Sequence, residues 1–555
     1  MPETRSARRA EIKMNKIESG DIPESLRFAA RNVVSYGDTD IFPYPFETRL
    51  LQDNENEVVN FFKEVDKNVE SAMNSYPPLN INCCSTVGYY GYRWATQIDP
   101  LWNVYFLGLV LSLSSKIERQ RLPSDYVYSY RISLDGDRCS IYDLNVNWRR
   151  FQQDSLDACA ESESIQNVVV CDIADFYTRI YHHRLENALH RIDEHKTTSK
   201  KIMSLAQNFS GTTSYGLPVG GAASRILSEL VLDSVDRLLK VNNIKFKRFV
   251  DDYVLFCESK EAAHSALAFL SRKLMENEGL TLQKHKTNIM SKDEFVNVTK
   301  ARLQGIDEDE GSPMRAKFMS LPIRYDPYSA NADEQYEAVK ESLKGFDLQG
   351  MLTSELQKSK IDQSFSRQLI RALSASSDNE LSASFKVIAN SLNDLYPIYT
   401  TIMQVAVSNW LRMDEDSKQN MREAVRSLID NDSFMLKTDI NVAYLIKLIS
   451  KDRSAENEAI LSQLYGKYPD SVLVRHLVTQ VMTKWGVHYW LSDQKKAFPT
   501  MAARQRRIFI IASYFLGDEG HHWRQHNRKN FSDLELIYRD WAAARVTTQD
   551  LADAL

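Results

Sequence analysis

Phe249-Val-Asp-Asp-Tyr-Val-Leu-Phe256 is an apolar, β-type run that two adjacent acids, Asp251 and Asp252, interrupt. Two carboxylates in a short turn between hydrophobic strands repel each other and lose hydration, so this arrangement favours bound cations. An isolated Asp-Asp pair is also typical of an exposed hairpin turn, but apolar flanks on both sides argue against simple exposure. The run therefore predicts a buried hairpin whose turn binds metal ions.

A second strand upstream supplies a third carboxylate. Residues 167–171 form a continuous apolar run of the buried-strand type, which ends at Asp172. Alone, a strand that ends in Asp is usually just a strand that ends in a turn. Together with Asp251 and Asp252, however, Asp172 could hold two Mg²⁺ ions about 4 Å apart, or Mn²⁺ in their place, as in-line phosphoryl transfer requires. We predict that the three aspartates are the catalytic metal ligands of a polymerase palm.

Between these strands lies the glycine-rich segment Gly216-Leu-Pro-Val-Gly-Gly-Ala-Ala-Ser-Arg225, which opens a helical run over residues 226–239. Glycines allow the backbone to approach a flat ring or a phosphate, and a helix start offers free N–H donors. Because such helix starts are common, a tight packing turn explains this segment alone equally well. The order of the three features along the chain carries more weight than any one of them.

Composition sets wide bounds on the protein class. A length of 555 residues, with 43% apolar and 26% charged residues, indicates a folded chain of two to four domains. A net charge of −5 requires local basic patches for any phosphate binding. The six cysteines contain no C-x-x-C pair, and no apolar run approaches the length of a membrane span. We predict a cytoplasmic protein without a membrane partner.

The sequence texture changes near residues 325–331. Before this loop the chain is mixed, with strand-like runs at 127–132 and 139–142 around a turn at Asp135-Gly-Asp137. After about residue 335, apolar residues recur at three- and four-residue spacing, which is typical of amphipathic helices that stack into a solenoid. The predicted fold class is an α+β right-hand polymerase, with fingers and palm, followed by an all-α HEAT-like helical solenoid.

We accordingly predict three regions. Residues 1–120 form an N-terminal region with part of the fingers, residues 121–330 form the reverse-transcriptase-like fingers and palm, and residues 331–555 form the helical repeat domain. In the last region, a basic group with nearby aromatics could guide a single nucleic-acid strand, although a basic helix face beside core aromatics is an equally ordinary explanation. This tentative nucleic-acid-binding group is Arg504, Arg506 and Arg507.

Three boxes resemble those of reverse transcriptases, and specifically the bacterial abortive-infection (Abi) and defence-associated group: D-x-x-x-x-Y at 172–177, G-L-P-x-G-x-x-x-S-R-x-L at 216–227 and F-V-D-D-Y at 249–253. The segment Gly37-Asp-Thr-Asp-Ile-Phe-Pro-Tyr-Pro-Phe46 resembles the same group. The resemblance implies a nucleotidyltransferase that polymerises dNTPs during antiphage defence in bacteria. It further implies a single-stranded DNA product, which protein priming would leave covalently attached to the protein. RNA is a further implied partner, and the implied assembly is a homo-oligomer.

The resemblance also assigns roles around the aspartates. It places Tyr177 in the steric-gate position that excludes a 2′-hydroxyl, and it matches Lys286 to the lysine that assists the triphosphate. Arg131 is the candidate finger residue, because arginine offers bidentate phosphate geometry. A solvated strand or helix face is the alternative for both basic residues. The nucleotide-binding set predicted in this way is Asp175, Phe176, Tyr177, Gly220, Lys286 and Arg131.

Two departures from templated reverse transcriptases affect the functional prediction. Val219 stands where retroviral enzymes have a glutamine, and its side chain forms no hydrogen bond to an incoming sugar. Only residues 295–298 suggest a primer grip. Both departures fit the protein-primed and untemplated synthesis that the resemblance implies. Any of the 26 tyrosines could prime; Tyr44 is displayed between two prolines, although such aromatics more often pack.

Two alternatives remain open from the sequence. The first is a conventional reverse transcriptase that copies a bound RNA. The second, from a different class, is a helical scaffold whose polymerase half senses phage components without synthesis. Intact acids at Asp172, Asp251 and Asp252 argue against the second alternative.

Overall fold

The computed structural model describes residues 21–304, 313–319, 321, 340–343, 345–548 and 550–555. The predicted boundary loop at 325–331 lies outside the described residues, so the three predicted domain boundaries stay predictions. No helix among the described residues is both long and apolar enough to cross a membrane.

Helices dominate residues 21–304, and their ends follow local sequence signals. The first helix begins after Asp21, whose side chain accepts the Glu24 N–H at 3.1 Å, and it ends at Gly37, where φ is +81°. The helix Pro100–Ser112 is buried along its whole length and packs against the first helix. In chain order the helices are α1 (Ile22–Tyr36), α2 (Glu47–Asp53), α3 (Glu55–Lys67), α4 (Val69–Ser75), α5 (Pro100–Ser112), α6 (Ser114–Gln120), α7 (Trp148–Glu161), α8 (Phe176–Arg179), α9 (His182–His190), α10 (Thr197–Ser210), α11 (Ala222–Val241), α12 (Lys260–Lys273) and α13 (Lys292–Gln304).

The eight strands within the described residues form three antiparallel sheets. Two are isolated hairpins, and the third is a four-stranded sheet with the order β6-β7-β5-β8. The central strand β5 carries the predicted run of valines, of which Val168 and Val169 are fully buried. The strands are β1 (Asn80–Val87), β2 (Gly91–Ile98), β3 (Ile132–Asp135), β4 (Ser140–Tyr142), β5 (Asn167–Asp172), β6 (Lys245–Phe249), β7 (Asp252–Cys257) and β8 (Asn288–Ser291).

The hairpin of β3 and β4 turns at the predicted Asp135-Gly-Asp137, but its first strand begins later than the sequence indicated. Residues 127–131 are not part of the strand, because Tyr130 adopts a left-handed conformation with φ +47°. Val127 instead bridges to Arg248 at the edge of the four-stranded sheet. The segment therefore anchors the hairpin to the palm.

The C-terminal region is helical, as predicted. Within the described residues after 340, many helices pack against the helix after next, so that α16, α18, α20, α22, α24 and α26 form one row and α15, α17 and α19 a second. The helices after α13 are α14 (Pro313–Met319), α15 (Leu348–Leu356), α16 (Gln363–Ala372), α17 (Asp378–Asn390), α18 (Tyr399–Asn409), α19 (Glu415–Asp430), α20 (Asp439–Ile449), α21 (Ala455–Lys467), α22 (Val472–Lys484), α23 (His488–Gln494), α24 (Ala503–Ala512), α25 (Gly517–Asn527), α26 (Asp533–Thr547) and α27 (Leu551–Ala554).

The C-terminal helices pack against elements of the N-terminal part of the chain. Helix α26 contacts α2 and α3, and its Tyr538 and Trp541 belong to the same apolar core as α1 and α5. Helix α20 contacts β1, whose Ile81 and Cys83 belong to the core of the C-terminal helices. Each core thus includes side chains from both ends of the chain.

Candidate active site

The three predicted metal ligands lie together at one end of the four-stranded sheet. Strands β5 and β7 pair so that Asp172 stands directly opposite Asp252, and side chains at opposed positions share one face of a sheet. Asp251 lies in the turn between β6 and β7, after Val250 at φ +57°, and its carbonyl accepts the Ile173 N–H at 3.1 Å. The apolar strands deliver all three carboxylates to one sheet end.

The electrostatics of this cluster suit a cation. Burial, followed by the charges of Asp172 and Asp252, raises the pKa of Asp251 to about 7. Burial and then Asp172 raise the pKa of Asp252 to about 6. The negative charge is therefore under-compensated, and carboxylate oxygens are the donors that Mg²⁺ prefers. The residues present fit a hard divalent cation.

Lys286 supplies part of the missing positive charge. It ends a short 3₁₀ turn, Lys284–Lys286, and its Nζ donates to Oδ2 of Asp172. That hydrogen bond is the main reason why the pKa of Lys286 is raised. Among the described residues, no three His, Cys, Asp or Glu side chains already stand in the geometry of a metal site. A cation that binds Asp172 has to compete with the Lys286 ammonium.

The predicted nucleotide-binding residues after Asp172 form one compact turn. Asp175 has a left-handed backbone, with φ +50°, and starts α8, in which Phe176 is buried. The Tyr177 carbonyl accepts the Leu217 N–H at 2.8 Å, which ties this turn to the glycine-rich segment. Burial and the neighbouring Tyr130 raise the pKa of the Tyr177 hydroxyl well above 10. The Tyr177 hydroxyl therefore stays protonated at neutral pH.

Another part of the chain covers the glycine-rich segment. Gly220 has φ +120°, and a Cβ atom there would lie 3.3 Å from Cβ of Thr39 and 3.5 Å from Cδ1 of Ile41. The carbonyl of Val219 accepts the Thr96 N–H of β2 at 3.2 Å. Residues 39–41 and β2 therefore pack on the segment, and only a residue without a side chain fits at Gly220.

Sequence reasoning missed an ion pair beside Tyr177. Arg225, the last residue of the glycine-rich segment, donates from Nη2 to Oδ2 of Asp40 at 2.6 Å. Its guanidinium lies 5.5 Å from the ring centroid of Tyr130. Both partners lie in segments that resemble the Abi group, but no sequence pattern paired two residues so distant along the chain. Arg225 thus lies close enough to the proposed steric gate for its charge to act on the Tyr177 hydroxyl.

The contacts of Arg131 are with residues other than the three aspartates. Its Nη1 donates to the carbonyl of Leu122 at 2.7 Å, and its Nη2 pairs with Glu118. Only 11% of its side chain is exposed. The contacts of Arg131 are thus structural, and the predicted triphosphate contact would require them to break.

The predicted basic group of the C-terminal region is not an exposed face. Arg507 pairs with the buried Asp99, and Arg504 donates to Oε1 of Gln97 at 2.8 Å. Both arginines are almost fully buried, while Arg506 pairs with Glu535 at 2.7 Å. The prediction of an exposed basic group is wrong for Arg504 and Arg507, because buried guanidinium groups are not available to phosphates. Arg506 is partly exposed and pairs with Glu535.

Two further predicted features also have defined positions. Residues 295–298 are helical within α13, so the suggested primer-grip hairpin is wrong. Tyr44 is 52% exposed, and its hydroxyl donates to the Tyr36 carbonyl at 3.2 Å. Its ring covers Gly37, where no side chain fits.

Comparison with known families defines the class of this site. Residues 133–321 match the family described as reverse transcriptase (RNA-dependent DNA polymerase), a span that includes all three aspartates, Tyr177 and Lys286. The chain therefore contains a reverse transcriptase domain. This domain indicates a nucleotidyltransferase of the RNA-directed DNA polymerase type.

Comparisons beyond the domain are less specific. Among solved structures, the chain is similar to telomerase from Candida albicans in complex with a fragment of telomeric RNA, with 10% identity, a TM-score of 0.30, and coverage of 73% of this chain and 70% of that chain. A comparison with curated proteins gives no match.

Proposed function

We propose that this chain is a reverse-transcriptase-like DNA polymerase of bacterial antiphage defence, which acts by abortive infection and polymerises dNTPs with two Mg²⁺ ions. One observation carries the catalytic part: Asp172 and Asp252 are opposed in register, with Asp251 in the adjoining turn, inside a reverse transcriptase domain. The defence role is supported by the resemblance of residues 37–46 and of the three boxes to the Abi group.

Each proposed catalytic side chain has a defined position and role in the mechanism. Asp172, Asp251 and Asp252 would hold the two ions, which supply activation of the attacking hydroxyl and neutralisation of the pyrophosphate when bound. Lys286 carries a proton on Nζ at the edge of the same site, where it can compensate charge on the triphosphate. The Tyr177 ring excludes a ribose 2′-hydroxyl, and the buried Phe176 ring packs against it with the two ring centroids 5.4 Å apart.

Synthesis without a template is the finer part of the proposal. Val219 offers no side-chain hydrogen bond, and its carbonyl already accepts the Thr96 N–H. A polar residue at this position would contact the incoming sugar, whereas Val219 contributes only apolar surface. We propose that dNTP selection here does not depend on pairing with a copied strand.

A protein hydroxyl is the proposed primer, and accessibility limits the candidates. Tyr44 is one candidate, because it follows the segment 39–41 that packs on Gly220 and its ring is half exposed. Three tyrosines, at positions 325, 328 and 336, lie outside the described residues. The exposed tyrosines among the described residues are Tyr36, Tyr44, Tyr90, Tyr92, Tyr181, Tyr215 and Tyr489.

The alternating contacts of the C-terminal helices support a HEAT-like solenoid as the architecture of that region. Such stacks present long surfaces to other macromolecules, so we propose this region as the seat of phage sensing or of self-assembly into a homo-oligomer. Size-exclusion chromatography with light scattering measures the assembly directly, and a monomer at micromolar concentration would contradict it.

The catalytic assignment is tested by incorporation of labelled dNTPs. Asp251→Asn and Asp252→Asn should each lower Mg²⁺-dependent incorporation by at least about a hundredfold, because each change removes a ligand charge. Asp137→Asn, which alters an exposed aspartate in the β3–β4 turn, is the matched control and should retain activity. Unchanged incorporation by both variants would refute the assignment.

Product analysis separates the proposal from a conventional reverse transcriptase. The purified protein is incubated with dNTPs and Mg²⁺, with and without a defined RNA and an annealed primer. Protein-primed synthesis leaves a nucleotide on a tyrosine after protease and nuclease digestion, which mass spectrometry locates, and Tyr44→Phe tests one candidate. Products that are complementary to the RNA and strictly dependent on it would favour the templated alternative.

A further inference from the structure

The β1–β2 hairpin displays a row of aromatic side chains. Tyr90, Tyr92 and Trp94 are 84%, 62% and 50% exposed, whereas most large aromatics of the chain belong to its cores. Tyr92 and Trp94 alternate along β2 and therefore project from one face, opposite Thr86 and Cys84, while Tyr90 lies in the turn that precedes β2. Three large exposed rings within five residues form a patch that indicates a binding surface.

The other face of the hairpin holds this row in place. Ile81, Cys83 and Ala95 alternate with the exposed positions and are buried in the core of the C-terminal helices. At the tip, the Tyr89 hydroxyl accepts the Ile361 N–H at 2.8 Å. The exposed rings are therefore mounted on a frame that is anchored at both ends.

The charge around the row is positive. Residues 80–98 contain no aspartate or glutamate in a chain of net charge −5, and they contain Arg93, which is exposed. Lys360 lies 5.0 Å from the ring centroid of Tyr90. Burial and then neighbouring Arg93 lower the pKa of Arg367, as expected where cations meet. The surface suits an anionic partner.

The row also begins beside the candidate active site. Thr96 donates its N–H to the Val219 carbonyl of the glycine-rich segment at 3.2 Å. Trp94 precedes Thr96 by two residues on the same face, Tyr92 lies about 7 Å further along the strand, and Tyr90 follows in the turn before β2. A strand that leaves the active site past Val219 would meet the three rings in succession.

We propose that Tyr90, Tyr92 and Trp94 form a stacking platform for single-stranded DNA, with Lys360 beside Tyr90 as a cation for its phosphates. Stacked aromatics and scattered cations bind single strands of any sequence. The inference rests on the proposed function in one respect, because it takes the bound strand to be the enzyme's own DNA product.

Binding of a fluorescent oligothymidylate to the full-length protein, followed by anisotropy, tests the platform. The triple variant Tyr90→Ala, Tyr92→Ala, Trp94→Ala should bind at least about tenfold more weakly, since each lost stacking contact costs affinity. The matched triple variant with phenylalanine at these positions keeps the rings and should bind within about threefold of the parent. Tyr489→Ala removes another exposed tyrosine, which lies near Glu458, and should have no effect.

Two outcomes would overturn the platform. The first is an alanine variant that its melting curve shows to be folded and that still binds DNA as tightly as the parent. That outcome would show that the three rings do not take part in DNA recognition. Binding of an RNA of the same sequence at least about tenfold more tightly than DNA would exclude the product as the occupant. The Asp251→Asn variant should bind DNA like the parent, so a failure of the polymerase assignment leaves this measurement intact.

Discussion

The relation between Asp172 and Lys286 governs the candidate site at the scale of single residues. The ammonium pairs with one carboxylate, while Asp251 and Asp252 keep raised pKa values because they are buried near like charges. Desolvation and mutual repulsion thus make the metal-free site costly, and this cost is the source of its affinity for cations.

The pH dependence of Mg²⁺ binding follows from these pKa values. The ions bind ionised carboxylates, and Asp251 and Asp252 lose their protons only near pH 7 and pH 6. Apparent Mg²⁺ affinity should therefore rise as pH rises through this window and fall at least about tenfold between pH 8 and pH 5.5. Calorimetric titration at several pH values measures it, and a pH-independent affinity would contradict the proposed ligand set.

The stability of the metal-free fold should fall as pH rises, which is opposite to the change expected for Mg²⁺ affinity. The pKa of Asp251 in the fold, about 7, exceeds its unfolded value of roughly 3.9, so ionisation destabilises the fold progressively from about pH 4 to pH 7. In metal-free buffer at pH 8, Asp251→Asn should therefore raise Tm by roughly 2 to 4 °C. The gain should vanish at pH 4, and Asp137→Asn serves as the control in scanning fluorimetry. A lower Tm at pH 8 would contradict the repulsion argument.

The role of Tyr177 as a gate is a further residue-scale prediction. Tyr177→Ala opens space next to the sugar and should raise incorporation of ribonucleotides relative to dNTPs by at least about tenfold, whereas Tyr177→Phe keeps the ring and should keep the discrimination. Competition between labelled rNTPs and dNTPs measures the ratio. Equal ratios for parent and Tyr177→Ala would place the gate elsewhere.

At the scale of elements, the site depends on contacts between segments distant in sequence. Residues 39–41 cover the glycine-rich segment, Asp40 holds Arg225, and β2 bonds to Val219. Residues 39–41 therefore form a wall against the glycine-rich segment.

Gly220→Ala tests this wall. At φ +120° an alanine is strained by on the order of 1–3 kcal/mol, and its Cβ would press on Thr39 at 3.3 Å. We expect a raised KM for dNTPs and a smaller effect on folding. Gly211→Ala, at φ +64° with open space around it, is the control and should leave KM unchanged. An unaltered KM for Gly220→Ala would separate the wall from nucleotide binding.

At the scale of the whole molecule, buried charges join the two ends of the chain. Arg507 on α24 pairs with Asp99, which also caps α5 by accepting the Leu101 N–H at 3.2 Å. Burial raises the pKa of Asp38, near Arg504 and Gln97, to about 7. The C-terminal helices therefore neutralise carboxylates of the N-terminal half.

Replacement of one partner of the Arg507–Asp99 pair should show how much this contact between the two ends of the chain contributes to the free energy of unfolding. Arg507→Met leaves Asp99 buried without its cation and should lower the free energy of unfolding by about 3–5 kcal/mol. Arg426→Met removes an exposed arginine that pairs with Glu456 and should cost at most about 1 kcal/mol. Urea denaturation compares the two variants, and equal losses would show that the Arg507 pair is not part of the folding core.

The sequence by itself determined the elements whose signals are local: the apolar runs that end at Asp172 and flank Asp251, and the helical periodicity after residue 340. Such patterns specify which positions of a strand or helix are buried. The three carboxylates stand where the apolar runs end or are interrupted. Only the tertiary structure decided which distant groups meet. It buried Arg504 and Arg507, because pairing with Gln97 and Asp99 depends on long-range packing, and it placed Thr96 of β2 against Val219 through a hydrogen bond that no local pattern encodes.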